Sequence, residues 1–194
     1  MDADAERRLV KCCQTGDRNA LESLLEAHRD RAYRLAYRLT GSHADTDDVL
    51  QEAWLRVFRG MRRFDARARF GTWLCRIVLR ASVDHQRLRI RRMDARSLTG
   101  IEETQAAPAA GDPSEMAAAA ELNDALHEAM QALPVAQRSA LVLVALEGMS
   151  YAEAAEVQQC RQGTLAWRVA EARRRLAEKL APHLDAAGGS DHAM

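Results

Sequence analysis

Apolar residues recur every three or four positions along most of this chain, which is the spacing of one face of an α-helix. In the N-terminal half the pattern predicts four helices, over residues 4–14, 21–39, 49–61 and 70–92. Gly41 fits the C-terminal cap of the second helix, and Asp45 or Thr46 is expected to cap the third. No alternation of apolar and polar residues predicts a strand, so the chain is expected to be all-α.

The helical pattern stops at residues 97–118 and returns after them. This segment, SLTGIEETQAAPAAGDPSEMAA, contains glycines, prolines and acidic residues but no basic residue. Such a composition predicts a flexible acidic linker. Beyond it, helices are expected over 122–133 and between Pro134 and Gly148. The last dozen residues, 183–194, are expected to be a disordered tail.

Residues 150–180 have the outline of a helix-turn-helix. Ser150 and Glu153 form a capping box at the start of a short helix. The polar break QQCRQG follows, and then a longer helix from about residue 162 to residue 180. The apolar positions of that longer helix predict a buried face made of Leu165, Val169, Ala172, Leu176 and Leu180. In a helix-turn-helix its arginines would meet phosphates or base edges; a plain helical hairpin with solvated arginines fits this outline equally well.

Charge is segregated along the chain although its formal net charge is zero. Residues 54–96 contain 13 arginines and 3 acidic residues, and residues 97–124 contain 6 acidic residues and no base. A basic surface of this size is typical of a protein that binds a polyanion. The segment DTDDVLQEAW, residues 45–54, nevertheless places carboxylates at its edge.

Composition narrows the class of protein. The 194 residues are 47% hydrophobic and 29% charged, which is typical of folded soluble domains. No apolar run is long enough to span a membrane and the N-terminus does not resemble a secretory signal, so a cytoplasmic location is expected. The four cysteines lack zinc-site spacing, and Cys12 and Cys13 are expected to be buried in a helix. We therefore expect no metal or other cofactor, and an enzyme or sensor built on thiols or histidines is disfavoured.

The C-terminal motifs resemble region four of bacterial sigma factors of the extracytoplasmic-function class. The matching residues are Leu133-Pro134, Gln137-Arg138, Glu147-Gly148, Ser150 to Ala154, Gly163-Thr164, Arg168 and Ala172-Arg173. The resemblance implies a domain that binds the flap of the polymerase β subunit and recognises the minus-thirty-five promoter element. The residues that it places on DNA are Arg161, Gln162, Thr164, Arg168 and Arg173.

The second half of this motif departs from the family. Gly-Thr-Val is usually followed there by Lys or Arg and then Ser, whereas this chain has Leu165-Ala166-Trp167. Ala170 and Glu171 lie where some members carry an aromatic and a basic residue. Losing basic groups weakens the attraction for phosphates, so the departure predicts a weak or unusual minus-thirty-five preference.

Residues 20–92 are similar to region two of the same class. The matching residues are Asp45, Asp48, Val49, Gln51, Glu52, Arg56, Phe70, Thr72, Trp73, Leu74, Arg76, Ile77 and Asp84. The resemblance implies that one helical stripe, Asp45, Asp48, Gln51 and Glu52 (the acidic stripe), binds the clamp helices of the polymerase β′ subunit together with Arg56. The alternative is a solvated helix start, since acidic residues favour the first turn.

The resemblance also explains the arginine-rich segment, because a sigma factor opens the duplex near the minus-ten element and holds one strand apart. The loop RRFDARARF corresponds to the segment that captures a flipped base. The predicted DNA contacts here are Arg62, Arg63, Phe64, Asp65, Arg67, Arg69, Arg76, Arg80 and Arg87. Phe64 fits a core position equally well, and Trp73 is expected in the core.

The predicted architecture is thus two helical domains joined by the linker: a region-two-like domain over 1–96 and a region-four-like domain over 119–182. The resemblance implies a non-enzymatic sigma factor that binds core RNA polymerase and promoter DNA and has no small-molecule substrate. In this class an anti-sigma factor, often membrane-anchored, normally controls activity. The alternative, a dimeric helix-turn-helix regulator, leaves residues 45–96 unexplained.

Overall fold

The computed structural model describes residues 2–65, 69–97 and 115–188, and these residues form helices and turns with no strand. The helices are α1 (Ala3–Gln14), α2 (Arg18–Thr40), α3 (His43–Gly60), α4 (Phe70–Ser97), α5 (Glu115–Gln131), α6 (Val135–Leu141), α7 (Tyr151–Gln158) and α8 (Gln162–Gly188). The prediction of an all-α protein is confirmed. Within the same residues, no helix combines the length and apolarity needed to cross a bilayer.

Helices α1–α4 form the N-terminal lobe, in which α2, α3 and α4 pack on one another and α1 packs on α2. Gly41 ends α2 with φ at 76°, a left-handed conformation that glycine adopts without strain. The predicted cap of α3 was wrong: Ser42 is the N-cap, and its hydroxyl accepts a hydrogen bond from the Asp45 amide at 3.4 Å. Thr46 instead lies buried one turn into the helix.

Helices α5–α8 form the C-terminal lobe. The predicted helix between Pro134 and Gly148 consists of α6 followed by a wider π-helical turn, Val142–Leu146. The capping box at the start of α7 is confirmed, with Ser150 and Glu153 bonding each other's backbone amides. Gln159, at φ 53°, turns the chain between α7 and α8.

Two predicted segments differ in extent from the structure. Helix α5 begins at Glu115, inside the predicted linker, and residues 98–114 lie outside the described residues. Helix α8 continues to Gly188, so the prediction of a disordered tail is wrong for residues 183–188. Residues 189–194 lie outside the described residues.

The two lobes contact each other through an ion-pair cluster. Glu147, whose side chain is 6% exposed, lies 2.9 Å from Arg31 Nε and 3.1 Å from Arg38 Nη1, both on α2. Burial lowers the pKa of Arg31, but the hydrogen bond that it donates to Glu147 and the nearby negative charges together raise it more, so the net pKa is raised. The buried Arg138 donates a further interlobe hydrogen bond to Gln86 at 3.2 Å.

Candidate functional site

The acidic stripe lies on the outer surface of α3, and its members differ in how open they are. The Asp48 side chain is 71% exposed and Gln51 is exposed beside it. Asp45 is only 21% exposed and accepts a hydrogen bond from Arg89 at 2.8 Å, while His85 Nε2 lies 3.7 Å from it. Asp48 and Gln51 are therefore the members most available to another molecule.

The C-terminal end of the stripe is braced by an arginine. Arg56 lies 2.8 Å from Glu52 and 2.9 Å from Asp84 on α4. Burial lowers the pKa of Arg56, but these hydrogen bonds raise it more, so its charge is held. Glu52 remains 44% exposed, so one carboxylate face still points to solvent. Arg56 thus ties α3 to α4 and positions Glu52.

Two exposed apolar side chains continue the stripe along α3, and the sequence motifs did not single them out. Leu55 is 45% exposed and Phe58 is 59% exposed. Phe58 and Trp54 line a groove of about 650 Å³ between α2 and α3, with apolar and charged residues of α2 on its other side. The signal was available: Leu55 follows Gln51 by four positions and so shares its face. Phe58 belongs to the apolar pattern that predicts α3 but does not face the core.

The loop after α3 separates into a buried and an exposed part. Phe64 is 6% exposed, its ring centroid lies 4.7 Å from that of Trp73, and Phe70 meets it edge-on at 6.0 Å. The predicted contact of Phe64 with a flipped base is therefore corrected, because this side chain is a core residue. Trp73 packs in the same cluster, as expected.

Cationic groups surround this aromatic cluster on the outside. Arg62, Arg63 and Arg69 are exposed, and Asp65 is exposed between them. Arg67 lies outside the described residues.

Along α4 the predicted arginines fall in different environments. Arg80 and Arg87 are exposed, and both line a groove of about 600 Å³ between α4 and the C-terminal lobe. Arg76 is half-buried, and its buried Nε has no hydrogen-bond partner among the described residues. The guanidinium groups of Arg80 and Arg87 are therefore open to another molecule. Together with the exposed Arg62, Arg63 and Arg69 they are called the cationic face.

Helices α7 and α8 build the helix-turn-helix. The predicted buried face of α8 is confirmed at its centre, where Leu165, Val169 and Ala172 are 0% exposed, while Leu176 and Leu180 are half-buried. The predicted DNA contacts Arg161, Gln162, Thr164 and Arg173 are exposed. Arg168 is half-buried and donates to Gln158 Oε1 at 2.5 Å, so it ties α8 back to α7.

The departing residues give α8 an unusual outer surface. Trp167 is 60% exposed. Glu171 bonds both Arg174 at 2.7 Å and Arg175 at 2.8 Å, and these bonds lower the pKa of Glu171 to about 2. Arg174 also pairs with Glu178, so two arginines of α8 are paired with two carboxylates of the same helix.

The cysteines and potential metal ligands do not form a site in the described part of the chain. No three histidine, cysteine, aspartate or glutamate side chains there are grouped to hold a metal ion. Cys13 and Cys75 are buried, and burial raises the pKa of the Cys75 thiol to about 11. Cys12 is exposed, so its predicted burial is wrong.

Comparison with family models gives two matches, one in each lobe. Residues 24–92 match Sigma-70 region 2, and residues 123–176 match Sigma-70, region 4. Together they cover more than half of the chain and fall inside the predicted domains 1–96 and 119–182, whose limits stay predictions.

Among curated proteins, the chain is similar to sigma factors of several bacteria. It is 36% identical over 178 residues to the ECF RNA polymerase sigma factor SigM of Mycobacterium tuberculosis, covering 92% of this chain and 85% of that one. It is 36% identical to SigE of Mycolicibacterium smegmatis over 87% of this chain and 66% of that protein. It is 30% identical to the sigma-H factor of Pseudomonas aeruginosa over 93% of this chain and 96% of that protein.

Solved structures share the fold. The sigma factor RpoE, determined in complex with the anti-sigma factor NepR from Bartonella quintana, gives a TM-score of 0.66 at 24% identity over 83% of this chain and 96% of that one. CnrH, determined in complex with the cytosolic domain of CnrY, gives 0.65 at 23% identity over 92% and 99%.

Proposed function

The chain belongs to the extracytoplasmic-function sigma factors, and from this premise we propose which of its surfaces bind polymerase and which bind DNA. A sigma factor is not an enzyme; it binds core RNA polymerase and directs promoter recognition, strand opening and transcription initiation. The observation that carries the assignment is the juxtaposition on one lobe of an exposed carboxylate and amide, Asp48 and Gln51, with the exposed arginines around α4.

The acidic stripe is the proposed site for the β′ clamp helices. Asp48, Gln51 and Glu52 offer acceptors that suit arginines on a protein and repel phosphates. Leu55 and Phe58 extend this surface with apolar area, which an interface needs at its centre. Asp45 and Arg56 support the stripe through their ion pairs with α4 rather than by direct contact.

The cationic face is the proposed site for melted promoter DNA near the minus-ten element. Its exposed members among the described residues are Arg62, Arg63, Arg69, Arg80 and Arg87. Guanidinium groups spread over a loop and a helix can follow a strand backbone, and Asp65 among them offers an acceptor to a base amine. We retain Arg67 on this face as a prediction, and we do not retain Phe64.

Helix α8 is the proposed minus-thirty-five recognition helix, with Arg161, Gln162, Thr164 and Arg173 toward DNA and Arg168 as a positioning residue for the turn. The rest of the C-terminal lobe is the proposed site for the β flap. We place the protein in the cytoplasm, where polymerase and promoter are found. An anti-sigma factor is the proposed regulator, as in the NepR complex above, and membrane anchoring of that factor stays a prediction.

Transcription in vitro tests this function. Core RNA polymerase with the purified chain, on genomic fragments, is expected to start at a small set of positions that share two upstream elements. Core polymerase alone is the control. Start sites that do not depend on the chain, or promoter binding by the chain alone at nanomolar concentration, would contradict the proposal and favour a conventional regulator.

Replacing Glu171 with glutamine is expected to free Arg175 for phosphates, whereas Arg174 keeps its ion pair with Glu178. The affinity of the holoenzyme for promoter DNA should rise, and the slope of log affinity against log salt should become steeper by about 0.9, the step for one new phosphate contact. Because the pKa of Glu171 is lowered to about 2, the carboxylate stays charged above its ordinary pKa and the ion pairs are lost only as the pH falls toward 2. The effect should therefore be the same at pH 6 and pH 9.

The matched control is Glu178→Gln, which removes a partner of Arg174 alone. Promoter binding measured at four salt concentrations separates the two variants. An unchanged slope for E171Q would mean that Arg175 does not face DNA.

A further inference from the structure

Trp167 is the most exposed of the large apolar side chains in the described part of the chain, at 60%. Its position is fixed by its neighbours, because Leu165 and Val169 on either side of it are fully buried and anchor α8. Burying an indole is favourable, so a molecule that covers this ring would gain affinity from it. The exposed ring is therefore a candidate contact for a partner outside the chain.

The surface around Trp167 lets a partner come close. A Cβ added at Gly163 would meet no atom within 4 Å, and Ala166 and Ala170 are exposed with short side chains. The indole is thus the one exposed bulky apolar group on the first two turns of α8, since Leu165 is buried. It stands on the helix that follows the turn of a helix-turn-helix, which is the element that enters the major groove.

The exposed cations on either side of the ring favour DNA over a protein as this partner. The carboxylate of Glu171, one turn after the ring, is already paired with Arg174 and Arg175. Arg161 precedes the ring by six residues, Arg173 follows it by six, and both are exposed. Cations on either side of a recognition helix suit the phosphates that border a groove. In the major groove the C5 methyl of thymine is the apolar feature of the base edges, and apolar side chains recognise it by contact.

We propose that Trp167 is a specificity-determining residue for the minus-thirty-five element and that its indole packs on a thymine methyl group in the major groove. The inference rests on the proposed role of α8 and adds the base that this helix selects. It also accounts for the loss of cations at positions 166 and 171: recognition on this surface relies on apolar contact where relatives use basic groups.

The experiment uses the full chain with core polymerase and a promoter library in which the minus-thirty-five element is randomised. The variants are Trp167→Ser, Trp167→Phe, which keeps a ring, and Leu88→Ser, a control that removes an exposed apolar side chain from α4. Transcripts from the wild-type holoenzyme are expected to be enriched in thymine at one or two adjacent positions. W167S should lose this enrichment and nothing else, W167F should keep most of it, and L88S should match the wild type.

A second measurement isolates the methyl group. Replacing the selected thymine by uracil should lower wild-type promoter affinity about fourfold, the value of burying one methyl-sized group, and should leave W167S unchanged. Replacing cytosine by 5-methylcytosine at that position in a cytosine variant should restore part of the loss.

The outcomes separate this inference from the proposed function. Specific initiation with the same base profile for W167S as for the wild type overturns the role of Trp167 and leaves the family function intact. An equal loss of transcription by W167S on every sequence also overturns it, and indicates that the ring contacts a protein. Absence of any promoter-specific transcription by the wild type overturns both.

Discussion

Reversing the charges at Asp48 and Glu52 (D48R/E52R) is expected to lower the affinity of the chain for core RNA polymerase at least a hundredfold. Both carboxylates reach solvent, with side chains 71% and 44% exposed. Two guanidinium groups in their place would face the arginines that we propose on the β′ clamp helices. Like charges placed together at an interface cost several kcal/mol. The neutral variant D48N/E52Q should give an intermediate loss, because it removes attraction without adding repulsion.

Equilibrium titration of labelled chain with core polymerase measures this effect. The control is Asp30→Arg, which reverses an exposed charge on α2 of the same lobe. Thermal melting should show all variants folded, since neither stripe residue contributes to the core. Wild-type affinity in D48R/E52R would refute the assignment of the acidic stripe to polymerase.

Replacing Glu147 with arginine is expected to separate the two lobes. The Glu147 carboxylate is almost fully covered and pairs with Arg31 and Arg38, whose side chains are 38% and 33% exposed. Because solvent partly screens the two guanidinium groups, losing the carboxylate costs on the order of 1–3 kcal/mol, less than in a fully buried pair, and a third cation adds repulsion. The equilibrium between packed and separated lobes should therefore shift at least about tenfold toward separation.

Promoter geometry requires this separation during function. The two promoter elements lie about 25 base pairs apart by their names, or about 85 Å along the duplex at 3.4 Å per base pair. A compact chain of 194 residues has a radius of gyration of about 16 Å and is about half that length across. The packed arrangement cannot contact both elements at once, so the Glu147 cluster must break when the holoenzyme engages a promoter.

Small-angle scattering of the free chain checks the effect of E147R. The wild type should lie near the compact value and E147R clearly above it. The control is Glu156→Arg, an exposed charge reversal on α7 of the same lobe. Equal radii of gyration for E147R and the wild type would show that the cluster does not hold the lobes together.

Much of the fold could be predicted from local patterns. The capping box at Ser150, the cap at Gly41 and the buried centre of α8 each depend on residues a few positions apart, and all three are confirmed. The predictions were wrong where two neighbouring residues fit the same structural role equally well. Ser42 caps α3 although Asp45 is an equally good capping residue, and Cys12 is exposed although Cys13 beside it is buried.

The site could be predicted only in part, because its finer arrangement depends on long-range contacts. Glu147 meets Arg31 from 116 positions away, which no spacing rule reveals. Arg56 is held by Asp84 across two helices, and the burial of Phe64 depends on Phe70 and Trp73 beyond the loop. Which arginines are open to DNA likewise depends on which of them are already paired.

The pairing of Glu171 with Arg174 and Arg175 affects how strongly DNA binding by this protein depends on the salt concentration in the cell. Displaced counterions make protein–DNA binding sensitive to the potassium and other ions of the surroundings. A helix whose arginines are already paired with its own carboxylates makes fewer phosphate contacts and so displaces fewer counterions from DNA. Upstream recognition by this protein should accordingly persist when osmotic upshift concentrates the cell interior, under conditions in which a more basic relative would dissociate.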